Sequence, residues 1–227
     1  MTHSNSRRPI ILLAFANDDG RSLRQLDEEQ RALRRILDPV RKEGKCEVLI
    51  LPAATAKDVV ETFLKYQHRI RVFHYGGHSD TDAIFFKNTD QTQRGTKAEN
   101  LKQFLALQQD LELIFLNSCL SLPQARQYQT AGAKVVLATG EKIGDQTARK
   151  FAGLFYTALV GGADIREAFE QAEAGLKVSP GNDPARGFGL EKEEQKTSWQ
   201  LFPEKPISPW RLPLLARQLT RIPTIDM

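Results

Sequence analysis

Leu113–Ser121 reads LIFLNSCLS. An apolar run of this length, closed by polar residues, predicts a strand buried on both faces. The strand is expected over Leu111–Leu116, stopping at Asn117 and handing Cys119 to a loop. A second stretch stands 41 residues before Cys119: apolar Val72–Tyr75 runs into Gly76-Gly77-His78-Ser79. Two strand ends, one offering a thiol and the other an imidazole, are the parts of a Cys-His nucleophile pair. The remainder of the chain is read for whether it brings those ends together.

Working outward, Pro9–Ala16 (PIILLAFA) is another continuous apolar run and predicts a first strand, closed by Asn17-Asp18-Asp19-Gly20. From about Arg21 the period becomes helical, with Leu26, Leu33, Ile36, Leu37 and Val40 on one face. Pro39 is expected to end or kink that helix. Cys46–Leu51 predicts the second strand. Thr55 with Asp58 is a capping box for the next helix, and Thr96 with Glu99 is another. His68 is placed at a helix end, Arg69–Tyr75 forms the third strand, and Ala83–Phe86 is a short strand before a polar loop at Asn88–Gly95.

After Cys119, a helix is expected over Leu122–Thr130 and a strand over Lys134–Ala138. Two helices follow, Asp145–Val160 and Asp164–Lys177. Alternation of strands and helices on this scale indicates βαβ units, a mostly parallel sheet and helices on both faces. Beyond Val178 the pattern breaks up. Trp199–Phe202 is either a last strand or a segment packed on the sheet edge, and Leu212–Leu219 is expected as a short helix. The organisation is therefore a disordered tail (1–8), one domain (9–178) and an irregular C-terminal extension packing on it (179–227).

Composition narrows the function classes. Of 227 residues, 41% are hydrophobic and 26% charged, ordinary values for a globular chain. The net charge of +4 comes from Lys and Arg interspersed with acids, a mixed solvated surface rather than a nucleic-acid patch. No run is long enough for a membrane helix, and Ile10–Phe15 is too short for a signal h-region. A cytoplasmic protein is expected. The two cysteines, Cys46 and Cys119, make no disulfide framework and lack zinc-ligand spacing. Neither a metal nor a cofactor is expected, since no phosphate-binding glycine pattern occurs.

In an open parallel sheet, loops at the C-terminal strand ends converge on one crevice. Asp18, Asp19, His78, Cys119 and the Gly140–Asp145 loop all fall at that edge. Backbone N–H groups of Cys119 and of Ser79, the residue after the histidine, suffice for an oxyanion hole. Cys46, at the start of a strand, is read as structural, and His74, within a strand, as a packed or hydrogen-bonded neighbour. The bland reading of Cys119 is a buried core thiol; its place beyond the apolar run favours function.

Phe73-His74-Tyr75-Gly76-Gly77-His78, followed by Leu116-Asn117-Ser118-Cys119, resembles the catalytic motifs of caspase-like (clan CD) cysteine peptidases. More closely, the chain is similar to CHAT domains. The likeness runs from about Ile10 to Gly175 and takes in ILLAFAND, CEVLILPAAT, AGAKVVLATGEKIGD and FAGLFYTALVGGADIREAF. It implies a caspase-like three-layer sandwich of the α/β class, with a mostly parallel central sheet flanked by helices. It further implies His78 as general base, Cys119 as acyl-forming nucleophile, and an extended peptide held by strand addition. The primary specificity pocket would draw on Asp18, Asp19, Asn117, Gly140, Glu141 and Asp145, and an acidic first loop would favour a basic P1 residue. Ser79 departs from the glycine that many members carry after the histidine.

The expected activity is thus that of a regulated cysteine endopeptidase of a bacterial signalling or defence-type system. Its expected partners are a protein or peptide substrate and an activating partner protein or NTPase-type module, with neither nucleic acid nor membrane. The alternative is a catalytically silent caspase-like module acting as an assembly adaptor. A nucleotide-binding domain is disfavoured by the missing phosphate motifs.

Overall fold

In the computed structural model the described residues are 8–16, 26–81, 83–87, 96–178, 199–203 and 208–213, the side chains of 96–99 excepted. They begin with β1 (Ile10–Ala16), α1 (Leu26–Lys42), β2 (Glu47–Leu51), α2 (Ala56–Lys65) and β3 (Ile70–Gly77). A two-stranded hairpin of β4 (Ala83–Ile84) and β5 (Thr96–Lys97) leads into α3 (Ala98–Ala106). Then come β6 (Leu113–Asn117), α4 (Leu122–Thr130), β7 (Val136–Thr139), α5 (Asp145–Val160), α6 (Ile165–Val178) and β8 (Trp199–Phe202).

The main sheet has the order β2-β1-β3-β6-β7-β8. Its first five strands are parallel, and β8 joins the edge antiparallel to β7. Every residue of β1 is buried, because the strand has neighbours on both sides and helices on both faces. Side chains alternate: Ile11, Leu13 and Phe15 join α1, α5 and α6, while Ile10, Leu12 and Ala14 join α2, α3 and α4. Each large apolar side chain buried this way contributes roughly 1.5–3 kcal/mol. A one-residue slip would exchange the two faces throughout, so the register is firmly set. The result is the α/β three-layer sandwich with a mostly parallel sheet.

Local signals act as their chemistry requires. Asp58 N–H donates to Thr55 Oγ1 at 3.1 Å while Thr55 N–H donates to Asp58 Oδ2 at 3.0 Å, closing the capping box. Asp164 and Glu167 do the same for α6, at 2.9 Å each way.

Some expectations are corrected. Pro39 does not stop α1, which continues to Lys42; the lost N–H falls in the last turn, where little helix remains to disturb. His68 lies beyond α2 rather than at its end. Its φ is +63°, and Nδ1 meets Asp110 Oδ2 at 2.9 Å. Of the two readings offered for Trp199–Phe202, the structure takes the last strand, which is the sixth of the sheet. The side chains of the Thr96/Glu99 pair, the loop 88–95, the segment 214–219 and Asp18 and Asp19 lie outside the described residues.

Candidate active site

Gly76 of β3 pairs with Asn117 of β6, so the two chains leave the sheet side by side in one direction. His78 follows directly on β3, and Cys119 follows β6 after Ser118. Both line a cavity of about 360 Å³ at the C-terminal edge of the strands, with Gly77, Ser79, Asn117, Ser118 and Leu120. Leu26 and Glu29 of α1, Lys142 and Ile143 of the β7–α5 loop, and Asp145 and Ala148 of α5 complete the wall. His78, Ser79 and Cys119 are half-buried.

The loops are tied together from several sides. Ser79 Oγ hydrogen-bonds the Cys119 carbonyl and stands 2.8 Å from Ser118 Oγ. One hydroxyl carries one proton, so Ser79 serves the carbonyl as donor and accepts from Ser118. Tyr75 Oη lies 2.7 Å from the His78 carbonyl and 2.6 Å from that of Phe85. Burial pushes its phenol well above the usual range. Gln124 Nε2 of α4 donates to the Asp80 and Ala83 carbonyls, binding the histidine side to the helix that follows the cysteine.

On the cysteine side, Thr139 Oγ1 donates to the Ser118 carbonyl, and Thr139 N–H donates to Ser121 Oγ at 3.0 Å. Leu120 has φ +53°, an unusual region for a branched side chain, and its N–H donates to the Glu141 carbonyl at 3.3 Å. The Cys119 thiol donates to the Ile143 carbonyl at 3.7 Å.

The sequence-nominated residues divide. His78, Ser79, Asn117, Cys119 and Asp145 share the cavity. Gly140 and Glu141 are not part of its lining; Gly140 faces Leu122 and Gln200, and exposed Glu141 acts through its carbonyl. The Asn117 side chain turns inward. Its Nδ2 donates to Glu29 Oε1 at 2.8 Å and to the Ala148 carbonyl at 3.1 Å, and its Oδ1 accepts from Trp199 Nε1 at 3.3 Å. Glu29 was not nominated, although the sequence carries a sign of it. At i+3 from Leu26 and i−4 from Leu33, it occupies a buried position on an apolar helix face.

The family model of the CHAT domain matches residues 2–203. This chain belongs to the CHAT domain family. A search of curated proteins finds no match. Among solved structures, this CHAT domain is similar to a secreted C11 cysteine protease from Bacteroides thetaiotaomicron, solved with an irreversible peptide inhibitor. The TM-score is 0.53 and the identity 14%, over 75% of this chain and 59% of that one. The CHAT chain thus spans less than two thirds of that protease. It is also similar to pro-sf-caspase-1, with TM-score 0.51 and 11% identity over 88% of this chain and 92% of that one. At these identities the likeness speaks for the fold, which is caspase-like.

Proposed function

We propose that this CHAT domain is a cysteine endopeptidase working through His78 and Cys119. The observation that carries the reading is their shared cavity at the ends of adjacent parallel strands. His78 takes the thiol proton as the sulfur attacks a peptide carbonyl, forming the S–C bond. Backbone N–H groups of Ser79 and Cys119 receive the developing oxyanion. The C–N bond then breaks, with the proton passing from His78 to the leaving amine. Water, deprotonated by His78, hydrolyses the thioester and restores the thiol.

Asp145, with Asp18 and Asp19 from the first loop, forms the binding site for a basic P1 side chain; Gly140 and Glu141 shape its outer loop, and Asn117 contributes its wall. A peptide-library profile confined to acidic or aliphatic P1 residues overturns that preference. No helix among the described residues is long and apolar enough to cross a membrane, and we place the protein in the cytoplasm, acting on protein or peptide substrates.

The thiol donates to the Ile143 carbonyl, and we read this tether to the β7–α5 loop as a resting arrangement of the nucleophile. Activation then shifts the 141–144 segment, through a partner protein or an NTPase-type module in a bacterial signalling or defence-type system. The same observation favours the second reading, a silent assembly adaptor. An electrophilic peptide warhead separates them. Labelling of Cys119 that His78→Ala abolishes is expected; no labelling under any activating condition leaves the adaptor.

A further inference from the structure

Set into the cavity wall is a buried polar network whose side chains take no part in the proposed bond-making and proton-transfer steps. Glu29 of α1 is 3% exposed, His74 of β3 0%, Asn117 of β6 4% and Trp199 of β8 2%. Glu29 Oε1 meets both His74 Nε2, at 3.1 Å, and Asn117 Nδ2, at 2.8 Å. Asn117 is thereby held from three directions: by Glu29 on α1, by the Ala148 carbonyl on α5, and by the Trp199 indole on β8. The indole is fixed in turn by stacking on Phe151, with centroids 4.1 Å apart and planes 7° from parallel.

This arrangement is costly as architecture. His74 Nδ1 and Tyr156 Oη are buried without a hydrogen-bond partner among the described residues. Burial, and after it the Glu29 carboxylate, hold the Tyr156 phenol well above its usual range. Apolar side chains of similar volume often fill such a place with no loss of stability. What they cannot do is fix the rotation of Asn117, the last residue of β6. From Asn117 the chain has two peptide links to Cys119, so a turn of the asparagine swings the thiol. Both donors converge on the single oxygen Oε1, a geometry that needs an acceptor at one point.

We infer that Glu29 is a positioning residue: with His74 and Trp199 it locks Asn117, and through it sets Cys119 against His78. The inference rests on the peptidase reading for its consequence, but the lock is measurable apart from it. Glutamine offers an amide oxygen that accepts both hydrogen bonds, whereas leucine removes the acceptor. The tests are therefore Glu29→Gln, Glu29→Leu and Trp199→Phe, with Thr55→Ala as a destabilised control remote from the cavity.

In the full chain, hydrogen exchange of amides 117–121 is expected to accelerate at least about tenfold in Glu29→Leu and to stay near wild type in Glu29→Gln. With a peptide warhead, Glu29→Leu is expected to lower the maximal inactivation rate about tenfold or more at unchanged warhead affinity, since small misplacement is costly. Glu29→Gln is expected within about threefold of wild type, and Trp199→Phe between the two. Exchange in Glu29→Leu no faster than in Thr55→Ala, or loss in Glu29→Gln equal to that in Glu29→Leu, overturns the positioning role. A wild-type protein that no warhead labels, yet shows this exchange order, overturns the peptidase reading and leaves the lock standing.

Discussion

His78 and Cys119 stand the same number of residues beyond paired positions of the sheet. Gly76 and Asn117 are partners in the parallel β3–β6 ladder, and each reactive residue follows two positions later. Parallel neighbours leave a sheet at one edge and in one direction, so matched register is enough to set the imidazole and thiol on the same cavity. In this chain the relationship is built by backbone pairing, with side chains refining it.

The two thiols are expected to differ sharply in reactivity. Cys46 is 1% exposed, and burial, with a smaller contribution from Glu47, pushes its thiol up to about 11. Cys119 is partly open to the cavity. Titration of the native protein with a chromogenic disulfide at pH 8 should count one fast thiol, lost in Cys119→Ala, and two after denaturation. Equal rates for both in the native state would contradict the burial of Cys46.

Gly77 precedes His78 because no side chain fits there. A Cβ would stand 2.6 Å from the Ala16 carbonyl, which is backbone of the neighbouring inner strand β1 and cannot step aside. Gly77→Ala should cost about 1–3 kcal/mol in urea unfolding. Gly153→Ala, in α5, would meet only Ile36 Cδ1 at 3.8 Å and should instead gain about 0.5–1 kcal/mol. An unchanged midpoint for Gly77→Ala would show that β1 and β3 yield at this point.

Ser79 links the two reactive loops through its hydroxyl. Ser79→Ala removes the donor to the Cys119 carbonyl and leaves the backbone N–H in place. On the peptidase reading, kcat should fall about three- to tenfold with KM unchanged, in line with one lost hydrogen bond of about 1 kcal/mol. A change in KM alone would show that the hydroxyl meets substrate instead.

Asp110 gives a pH signature away from the site. The His68 hydrogen bond, followed by the charge of Arg71, holds its carboxyl below the usual range. A depressed folded value means the contribution is complete above the unfolded carboxylate value, near 4, and lost as pH falls through the folded one. Asp110→Asn should therefore lower stability at pH 7 by up to about 0.5 kcal/mol, the pair being largely at the surface. Variant and wild type should converge near pH 2. A difference that persists in acid would assign the effect to packing.

Local chemistry made most of the fold legible. The apolar runs at Ile10, Val72 and Leu113 carry strand length and two-sided burial in their composition, and the Thr55/Asp58 and Asp164/Glu167 boxes mark helix starts within four residues. The candidate pair was legible because each member stands three residues beyond the end of such a run, His78 after Tyr75 and Cys119 after Leu116. Other features depend on residues far apart in the chain. Glu29 and Asn117 meet across 88 residues, and Trp199 and Asn117 across 82. Periodicity can report that Glu29 lies on a buried face; it holds no information about which distant donors fill the space opposite. Which partners the Asn117 side chain takes, and whether Trp199 belongs to the sheet, were decided by packing, because more than one outcome satisfies the same local pattern.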